Sequence, residues 1–369
     1  MKKVLVIILS VAMVAVLFAG CAGTGNTTST EEATVSETTT AVEASETAAE
    51  TTVVSGDSVS MPPDEIYAEY DEMTASGAYH KDGGKIYFNN AYYTAPYCGP
   101  LNQSIIDTAA AYGYEVVIDD GNGDGGNQLN QIETAIADGS YDAILYFPAD
   151  GASSINIVKL LVDSGIPFLN DNSEVDSSVI DQVHYVGIDA YAQGVTAAEM
   201  AMEVLPNGGN VVMIQGAGGS GPEIGRTNGF LDTIPDNIVV LDQQVAGWDP
   251  ETALTVMEDF ISKYGDEIDV VYTQDDGMYE GAIKAAQDAG VAKDYTFISV
   301  SGNEAGIQGI SDGLLYCTVA HSPVTEGVLT IDTLMKLLAG EAVPNKTIFE
   351  SVPVTKDNVD DPKFANPGW

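Results

Sequence analysis

The chain has 369 residues, with 55 Asp and Glu against 13 Lys and Arg, and its formal net charge is -42. So acidic a protein repels the phosphates of DNA and RNA, which excludes nucleic-acid binding. It also repels anionic lipid head groups, so any attachment to a membrane must be covalent or hydrophobic. The length predicts about two domains, and the hydrophobic share of 45% can supply a core for each.

Residues 1–20 have the pattern of an export signal. Lys2 and Lys3 precede an apolar run at 4–19, which is short for a membrane span and ends in small residues. The segment Leu-Phe-Ala-Gly-Cys at 17–21 resembles a bacterial lipobox, in which Cys21 is acylated and becomes the new N-terminus. We therefore expect an extracytoplasmic protein anchored by lipid to the outer face of the cytoplasmic membrane. The alternative is an ordinary secretory signal with an incidental cysteine.

Residues 21–82 are predicted to be a disordered tether. Thr, Ser, Glu and Ala dominate this stretch, and no Lys or Arg occurs between Lys3 and Lys81. Such a composition buries too little apolar surface to offset the entropy lost on ordering. A short helix within 64–77, after Pro62 and Pro63, is the exception that the sequence allows.

From residue 85 onward, short apolar runs alternate with stretches of helical period, which predicts βαβ units and parallel sheets. Strands are predicted at 85–90, 115–118, 143–147, 167–170 and 184–187, and helices at 99–112, 128–138 and 153–163. The pattern then restarts, with strands at 210–214, 239–245, 270–273, 296–300 and 315–320, and helices at 193–205, 222–234, 250–263, 276–289, 304–310 and 324–338. The fold class is α/β, with two similar doubly wound parallel-sheet lobes. Ligands of such sheets bind beyond the carboxyl ends of the strands, so two facing lobes place one cleft between them.

Seven segments carry a resemblance to a known family. In chain order they are Tyr-Asp-Ala-Ile-Leu-Tyr-Phe-Pro-Ala-Asp at 141–150, Gly-Ile-Pro at 165–167, Gly-Ile-Asp at 187–189, Gly-Arg-Thr-Asn-Gly-Phe at 225–230, Trp-Asp-Pro-Glu-Thr-Ala at 248–253, Asp-Gly-Met-Tyr-Glu-Gly-Ala at 276–282 and Val-Thr-Lys-Asp-Asn-Val at 354–359. From about residue 85 to 359 the chain resembles the type I periplasmic substrate-binding proteins of ABC importers, in particular the ribose- and galactose-type sugar binders.

The resemblance implies a non-enzymatic, monomeric binder without a cofactor, whose lobes close on a small polar ligand and then dock onto an ABC permease. It implies three chain crossings, near 189, 321 and 348. The first lobe then comprises 83–189 with 322–348, the second comprises 190–321 with 349–361, and residues 362–369 form a tail. A sensory binder, which presents its ligand to a chemotaxis or quorum-type receptor, remains the alternative.

The resemblance also implies the residues of the ligand site. Arg226, the only arginine, matches a ligand-binding arginine whose fork of donors suits hydroxyls or a carboxylate. Trp248 matches an aromatic residue whose flat face packs on sugar C–H groups. The other positions assigned to the site are Tyr92, Tyr93, Thr94, Tyr97, Asn172, Asp275, Ser301 and His321.

Four of these positions depart from the family pattern. Asn172 stands where many sugar binders have Asp, and Asp275 where they have Asn. Ser301 replaces a frequent Asp, and His321 replaces a frequent Gln or Asn. The departures do not change the expected location of the site, but they leave the identity of the ligand undetermined. Our hypothesis is that the ligand is a sugar or a sugar-like polyol.

No metal site is expected. Residues 120–125 reproduce the first half of a calcium loop, but Gln131 stands at its twelfth position, so a glycine-rich turn is the simpler interpretation. Cys98 and Cys317 are far apart in sequence and in different lobes, so we expect neither zinc nor a disulfide. Asp275 and Asp276 could suggest paired glycosidase carboxylates, but adjacent residues at a strand end point apart, and Asp276 is expected to cap the next helix.

Overall fold

The computed structural model describes residues 58–364 and Pro367, in which two open sheets are each covered by helices. The first sheet has the order β1-β12-β6-β5-β4-β2-β3. Its strands are β1 Ser58–Met61, β2 Gly84–Asn90, β3 Tyr114–Asp120, β4 Ala143–Phe147, β5 Phe168–Asn172, β6 Tyr185–Gly187 and β12 Lys346–Phe349. All its pairings are parallel.

The second sheet has the order β13-β11-β10-β9-β7-β8. Its strands are β7 Gly209–Gln215, β8 Ile238–Val245, β9 Val270–Thr273, β10 Thr296–Ser301, β11 Cys317–Ala320 and β13 Val352–Thr355. In the described part of the chain, β13 on β11 is the one antiparallel pairing. The predicted fold class, with two doubly wound α/β lobes, is confirmed.

Ten α-helices lie among the described residues. They are α1 Pro63–Ser76, α2 Cys98–Ala111, α3 Gly125–Asp138, α4 Gly151–Ser164, α5 Ala190–Val204, α6 Gly221–Thr233, α7 Pro250–Tyr264, α8 Asp276–Ala289, α9 Glu304–Asp312 and α10 Pro323–Leu338. No helix in this part of the chain combines the length and apolar character that a membrane span requires.

The apolar runs form strands because both faces of each sheet are covered. In β2, Ile86 and Phe88 pack on one side of the sheet and Tyr87 on the other, and every residue of β4 is buried. Strands buried on both faces read as continuous apolar runs, which is why their bounds were predicted to within a few residues. Most helix starts are fixed by side-chain caps, as at α4, where the Asp150 carboxylate accepts from Ser153 N–H at 2.8 Å.

The chain passes between the lobes three times. It leaves the first sheet after Gly187, returns after Ala320 and leaves again after Phe349. Phe349 pairs with Met61 and is buried in the first lobe's core, so the third crossing follows 349 rather than 348. Phe364 is buried in the second lobe, so the folded part extends into the segment predicted as a tail.

The prediction that residues 21–82 are a disordered tether is wrong for residues 58–82. β1 adds an edge strand beside β12, and α1 packs against α10 with Ile66 and Met73 buried. Lys336 of α10 donates to Glu69 of α1 at 2.5 Å. The acid-rich composition predicted disorder because this helix has few apolar residues, and they lie on one face. A short helix at 64–77 was the exception that the sequence allowed. Residues 1–57, including the predicted signal and Cys21, lie outside the described residues.

Candidate functional site

The site lies between the lobes, at the carboxyl ends of the strands of both sheets. Two hydrogen bonds join the lobes across its rim. Gly151 N–H donates to Gly219 O at 3.2 Å, and Gly221 N–H donates to Ser173 Oγ at 3.0 Å. The lobes are therefore closed on each other along this rim, and the cavity between them has about 480 Å³ of empty space, part of which is open to solvent.

The structure brings eight of the ten predicted residues to the wall of this cavity. They are Tyr92, Tyr97, Asn172, Arg226, Trp248, Asp275, Ser301 and His321. Apolar surface from both lobes completes the wall, from Ala95, Cys98, Phe147, Ile188 and Pro222. A cavity with apolar walls and a few convergent polar groups is typical of a site for a small ligand.

Tyr93 and Thr94 do not line the cavity. The chain makes a tight turn at residues 92–95, closed by a bond from Ala95 N–H to Tyr92 O at 2.9 Å. This turn directs Tyr92 inward, where its hydroxyl donates to Ala149 O at 2.7 Å, and leaves Tyr93 44% exposed. Thr94 is exposed beside it. The sequence did not reveal which side of the turn would face the cleft.

Arg226 is a buried cation held by neutral acceptors. Its Nε donates to Gln193 Oε1 at 2.9 Å and its Nη1 donates to the backbone oxygen of Gln274 at 2.6 Å. The side chain is 4% exposed, and no ion pair between described residues includes it. Burial lowers the pKa of the guanidinium, while nearby Asp275 opposes that effect. Two of its nitrogens are therefore anchored by the protein, and the remaining N–H groups can donate to a ligand.

Trp248 forms one wall of the cavity and is held in an unusual backbone conformation. Its φ is 65°, in the left-handed region, and the guanidinium carbon of Arg226 lies 5.7 Å from its ring centroid. The ring packs directly on Gly216, where a Cβ would come within 2.0 Å of it. The absence of a side chain at Gly216 therefore makes room for the indole. Trp248 also packs against the second lobe's core.

Asp275 and Asp276 point apart, as the sequence predicted for neighbouring residues at a strand end. Asp275 lines the cavity and caps α8, accepting from Met278 N–H at 2.7 Å, so the expectation that Asp276 is the cap is wrong. Asp276 instead accepts from the N–H groups of Gly302 and Asn303 at 2.7 and 3.0 Å, which fixes the turn after β10. The pair does not form the two facing carboxylates of a glycosidase.

His321 is a neutral member of the wall. Burial, with a contribution from the charge of Arg226, lowers its pKa to about 3. Its ring centroid lies 5.1 Å from that of Tyr97, and its Nδ1 is 3.2 Å from Gln193 Nε2. Gln193 therefore contacts both Arg226 and His321 and links two sides of the wall.

Ser220 is a residue that sequence reasoning did not single out, although it lies in the glycine-rich loop after β7. It is fully buried, lines the cavity, and its hydroxyl has no hydrogen-bond partner among the described residues. A buried hydroxyl without a partner costs free energy, so a ligand hydroxyl is the natural partner here.

Replacing Ser220 with alanine should weaken ligand binding without destabilising the protein. The lost hydrogen bond should raise the Kd by roughly threefold to tenfold. The thermal midpoint of the ligand-free protein should stay unchanged or rise, because the removed hydroxyl had no partner. As a matched control, Ser299→Ala removes a buried hydroxyl that Thr273 contacts at 2.9 Å and should lower the midpoint alone. Calorimetry and differential scanning fluorimetry measure the two quantities, and an unchanged Kd for Ser220→Ala would contradict this role.

The residues of the calcium-like segment are used by the backbone. Asp124 caps α3, accepting from Gly126 and Asn127 N–H at 2.7 and 2.9 Å, and Asp120 accepts from Asn122 N–H at 2.8 Å. Within residues 58–364, no group of three or more His, Cys, Asp or Glu side chains is arranged to hold a metal ion. Cys98 and Cys317 are both buried and unpaired, one in each lobe.

Comparisons with known proteins give consistent matches. The family described as periplasmic binding protein domain matches residues 86–342, which include all ten predicted site residues. A xylitol-binding protein of Mycolicibacterium smegmatis is 31% identical over 258 residues, 68% of this chain and 72% of that protein. The ribose import binding protein of Bacillus subtilis is 28% identical over 253 residues, 69% of this chain and 81% of that protein.

Solved structures match over a similar extent. An ABC transporter solute-binding protein from Bacillus halodurans C-125, with bound myo-inositol, has a TM-score of 0.70 and 26% identity, covering 76% of this chain and 97% of that one. The structure of a galactofuranose binding protein has a TM-score of 0.72 at 24% identity, covering 78% of this chain and 100% of that one, and supports the fold alone.

Proposed function

Because the chain belongs to the periplasmic binding protein family, we propose that it captures a sugar or polyol in the cleft between its lobes and delivers it to an ABC permease. The membership confirms the resemblance seen in the sequence, and the family is one of extracytoplasmic solute-binding proteins, not of enzymes. The single observation that carries the proposal is the cavity wall, where Asn172, Arg226 and Asp275 converge beside the face of Trp248.

The chemistry of this wall suits a neutral polyhydroxylated ligand. Arg226 supplies donors, Asp275 supplies an acceptor, and the hydroxyls of Ser220 and Ser301 can do both. Trp248 and Phe147 offer apolar surface for C–H groups. Each hydroxyl of a sugar both donates and accepts, so it can satisfy groups of either kind. The relatives with named ligands bind xylitol and ribose, and the structural neighbour holds myo-inositol.

A thermal-shift screen tests the ligand class. We expect pentoses, hexoses or polyols, with xylitol, D-ribose and myo-inositol in the first set, to raise the thermal midpoint of the purified protein, because a ligand that binds the native state stabilises it. Nucleosides, amino acids and dicarboxylates serve as comparison sets. Stabilisation only by a set that contains no carbohydrate or polyol would contradict the proposal.

Ligand affinity should depend on pH through Asp275. Burial raises its pKa to about 6, against the hydrogen bond from Met278 and the charge of Arg226. A ligand hydroxyl donates to the ionised carboxylate, so binding favours that form and affinity should rise by up to about tenfold from pH 5 to 7. Titration calorimetry across this range measures how the affinity changes with pH. Asp275→Asn, which stays neutral, should bind more weakly at pH 7, and its affinity should change less with pH. If the affinity of Asp275→Asn changes with pH as much as that of wild type, Asp275 is not the group responsible.

We also propose that the protein is a monomer held at the membrane by lipid on Cys21. The support is the lipobox-like segment 17–21, and a covalent lipid avoids the electrostatic repulsion expected for so acidic a chain. Cys21→Ser should move the protein from the membrane fraction to the released fraction of its host. Retention of the variant in the membrane fraction would contradict lipidation at Cys21.

A further inference from the structure

Two residues of the ligand site meet at one carboxyl group that does not itself line the cavity. Glu326 lies in the first turn of α10, shortly after the second crossing between the lobes. Tyr97, just before α2, donates its hydroxyl to Glu326 Oε2. Asn172, at the end of β5, places its Nδ2 3.0 and 3.1 Å from the two Glu326 oxygens. Both partners line the cavity, so Glu326 stands directly behind its wall.

Glu326 is buried without a counter-ion. Its exposure is 0%, and no ion pair between described residues includes it. Burial, together with the nearby carboxyl of Asp171, raises its pKa well above the ordinary value. Burying a carboxyl that has no ion-pair partner costs desolvation free energy, which hydrogen bonds offset only in part. Its hydrogen bonds to Tyr97 and Asn172 therefore call for an explanation other than stability.

The contact with Glu326 determines which end of the Asn172 amide faces the ligand. An amide has a nitrogen that donates and an oxygen that accepts, on opposite sides of the group. Glu326 accepts from the Tyr97 hydroxyl and from the Asn172 nitrogen, so the nitrogen is the end of the amide that faces Glu326. The side-chain oxygen of Asn172, Oδ1, is then turned away from Glu326, and the side-chain hydrogen bonds of Asn172 to other described residues use its nitrogen alone. Since Asn172 lines the cavity, its side-chain oxygen is the acceptor that it can offer to a ligand, and its backbone is held at φ 56°.

We propose that Glu326 is a positioning residue that determines specificity: it holds Asn172 with its carbonyl oxygen toward the cleft, which selects ligands that carry a hydroxyl donor at that point. The same carboxyl fixes the hydroxyl of Tyr97, so two first-lobe residues of the cavity wall have one common support. Groups that only accept hydrogen bonds, such as an ether oxygen or a carboxylate, are disfavoured opposite Asn172. The inference rests on the proposed function, because it concerns the same site.

Two substitutions of Glu326 separate positioning from packing. Glu326→Met keeps the volume but accepts no strong hydrogen bond, so the Asn172 amide is released. Glu326→Gln keeps one oxygen for the Asn172 nitrogen and can donate to the Tyr97 oxygen. Asp332 supplies the matched control, since it is a buried carboxyl on the same helix, contacted by the Tyr112 hydroxyl at 2.7 Å and absent from the cavity wall.

Calorimetry should use whichever of xylitol, D-ribose and myo-inositol binds the wild-type protein most tightly. We expect Glu326→Met to raise the Kd by about tenfold, as for the loss of one well-placed hydrogen bond. Glu326→Gln should remain within about threefold of wild type. Asp332→Leu should lower the thermal midpoint but leave the Kd unchanged. Equal Kd values for wild type and Glu326→Met, whatever the change in midpoint, would overturn the inference.

A second readout needs no ligand. In NMR spectra of the ligand-free protein, the two side-chain amide protons of Asn172 should exchange slowly with water in wild type and Glu326→Gln. In Glu326→Met their exchange should become fast, and unchanged exchange would overturn the inference. If none of the three ligands binds the wild-type protein, the proposed ligand class fails, while this comparison still decides whether Glu326 holds Asn172.

Discussion

Replacing Arg226 with methionine should raise the Kd for the bound sugar or polyol by roughly 100-fold or more. Hydrogen bonds from a charged donor contribute about 1.5–3 kcal/mol each, and the two nitrogens that the protein anchors leave several N–H groups for the ligand. Arg226→Lys should fall between wild type and methionine, because an ammonium keeps the charge but loses the planar fork. Titration calorimetry with the three protein forms measures the series.

The same substitution also tests how the arginine is held. Gln193 Oε1 and Gln274 O accept from the guanidinium, so Arg226→Met leaves both without that partner and should lower the thermal midpoint of the ligand-free protein. Affinity and midpoint must therefore be measured together. A variant that folds with a lower midpoint but binds as tightly as wild type would show that Arg226 is structural and does not contact the ligand.

The second large effect should come from α1, in the segment whose composition predicted disorder. Ile66 is 1% exposed and packs in the first lobe's core. Ile66→Ala removes buried methyl groups and leaves a cavity, which should lower the free energy of unfolding by about 2–4 kcal/mol. The shift of the urea unfolding midpoint measures this loss.

A neighbouring exposed residue controls for the substitution itself. Glu72 lies on the outer face of α1, so Glu72→Ala should change stability by at most about 0.5 kcal/mol. If Ile66→Ala and Glu72→Ala unfold at the same urea concentration as wild type, then residues 58–82 do not belong to the folded body. Ligand affinity should be unaffected in both variants, because α1 does not reach the cleft.

The fold was predictable because its signals are local. Strands such as β4, with the run Ala-Ile-Leu-Tyr-Phe, are apolar throughout because both faces are covered. Most helices begin at side chains that cap them, as Asp150 does for α4. In α1 the local signal is weaker, since Ile66 and Met73 are its only buried residues in an acidic stretch. Its stability comes from packing against α10, more than two hundred residues away, as the contact of Glu69 with Lys336 shows.

The site was predictable in position but not in detail. Arg226, Trp248 and Asp275 follow strands at the edge where a doubly wound sheet binds its ligands, so the topology alone brings them together. The turn after β2 decides which side chains face inward, and the sequence could not show that Tyr92 does and Tyr93 does not. Glu326 meets Asn172 across 154 positions of the chain, and no spacing within either segment indicates that contact.

The most direct test is native mass spectrometry of the protein purified from its own host. A closed cleft that binds a sugar or polyol should retain one such molecule, so we expect a bound mass equal to one pentose, hexose or polyol per chain. The bound mass should be absent from Arg226→Met prepared in the same way. A bound amino acid, peptide or nucleoside in place of the carbohydrate would contradict the account.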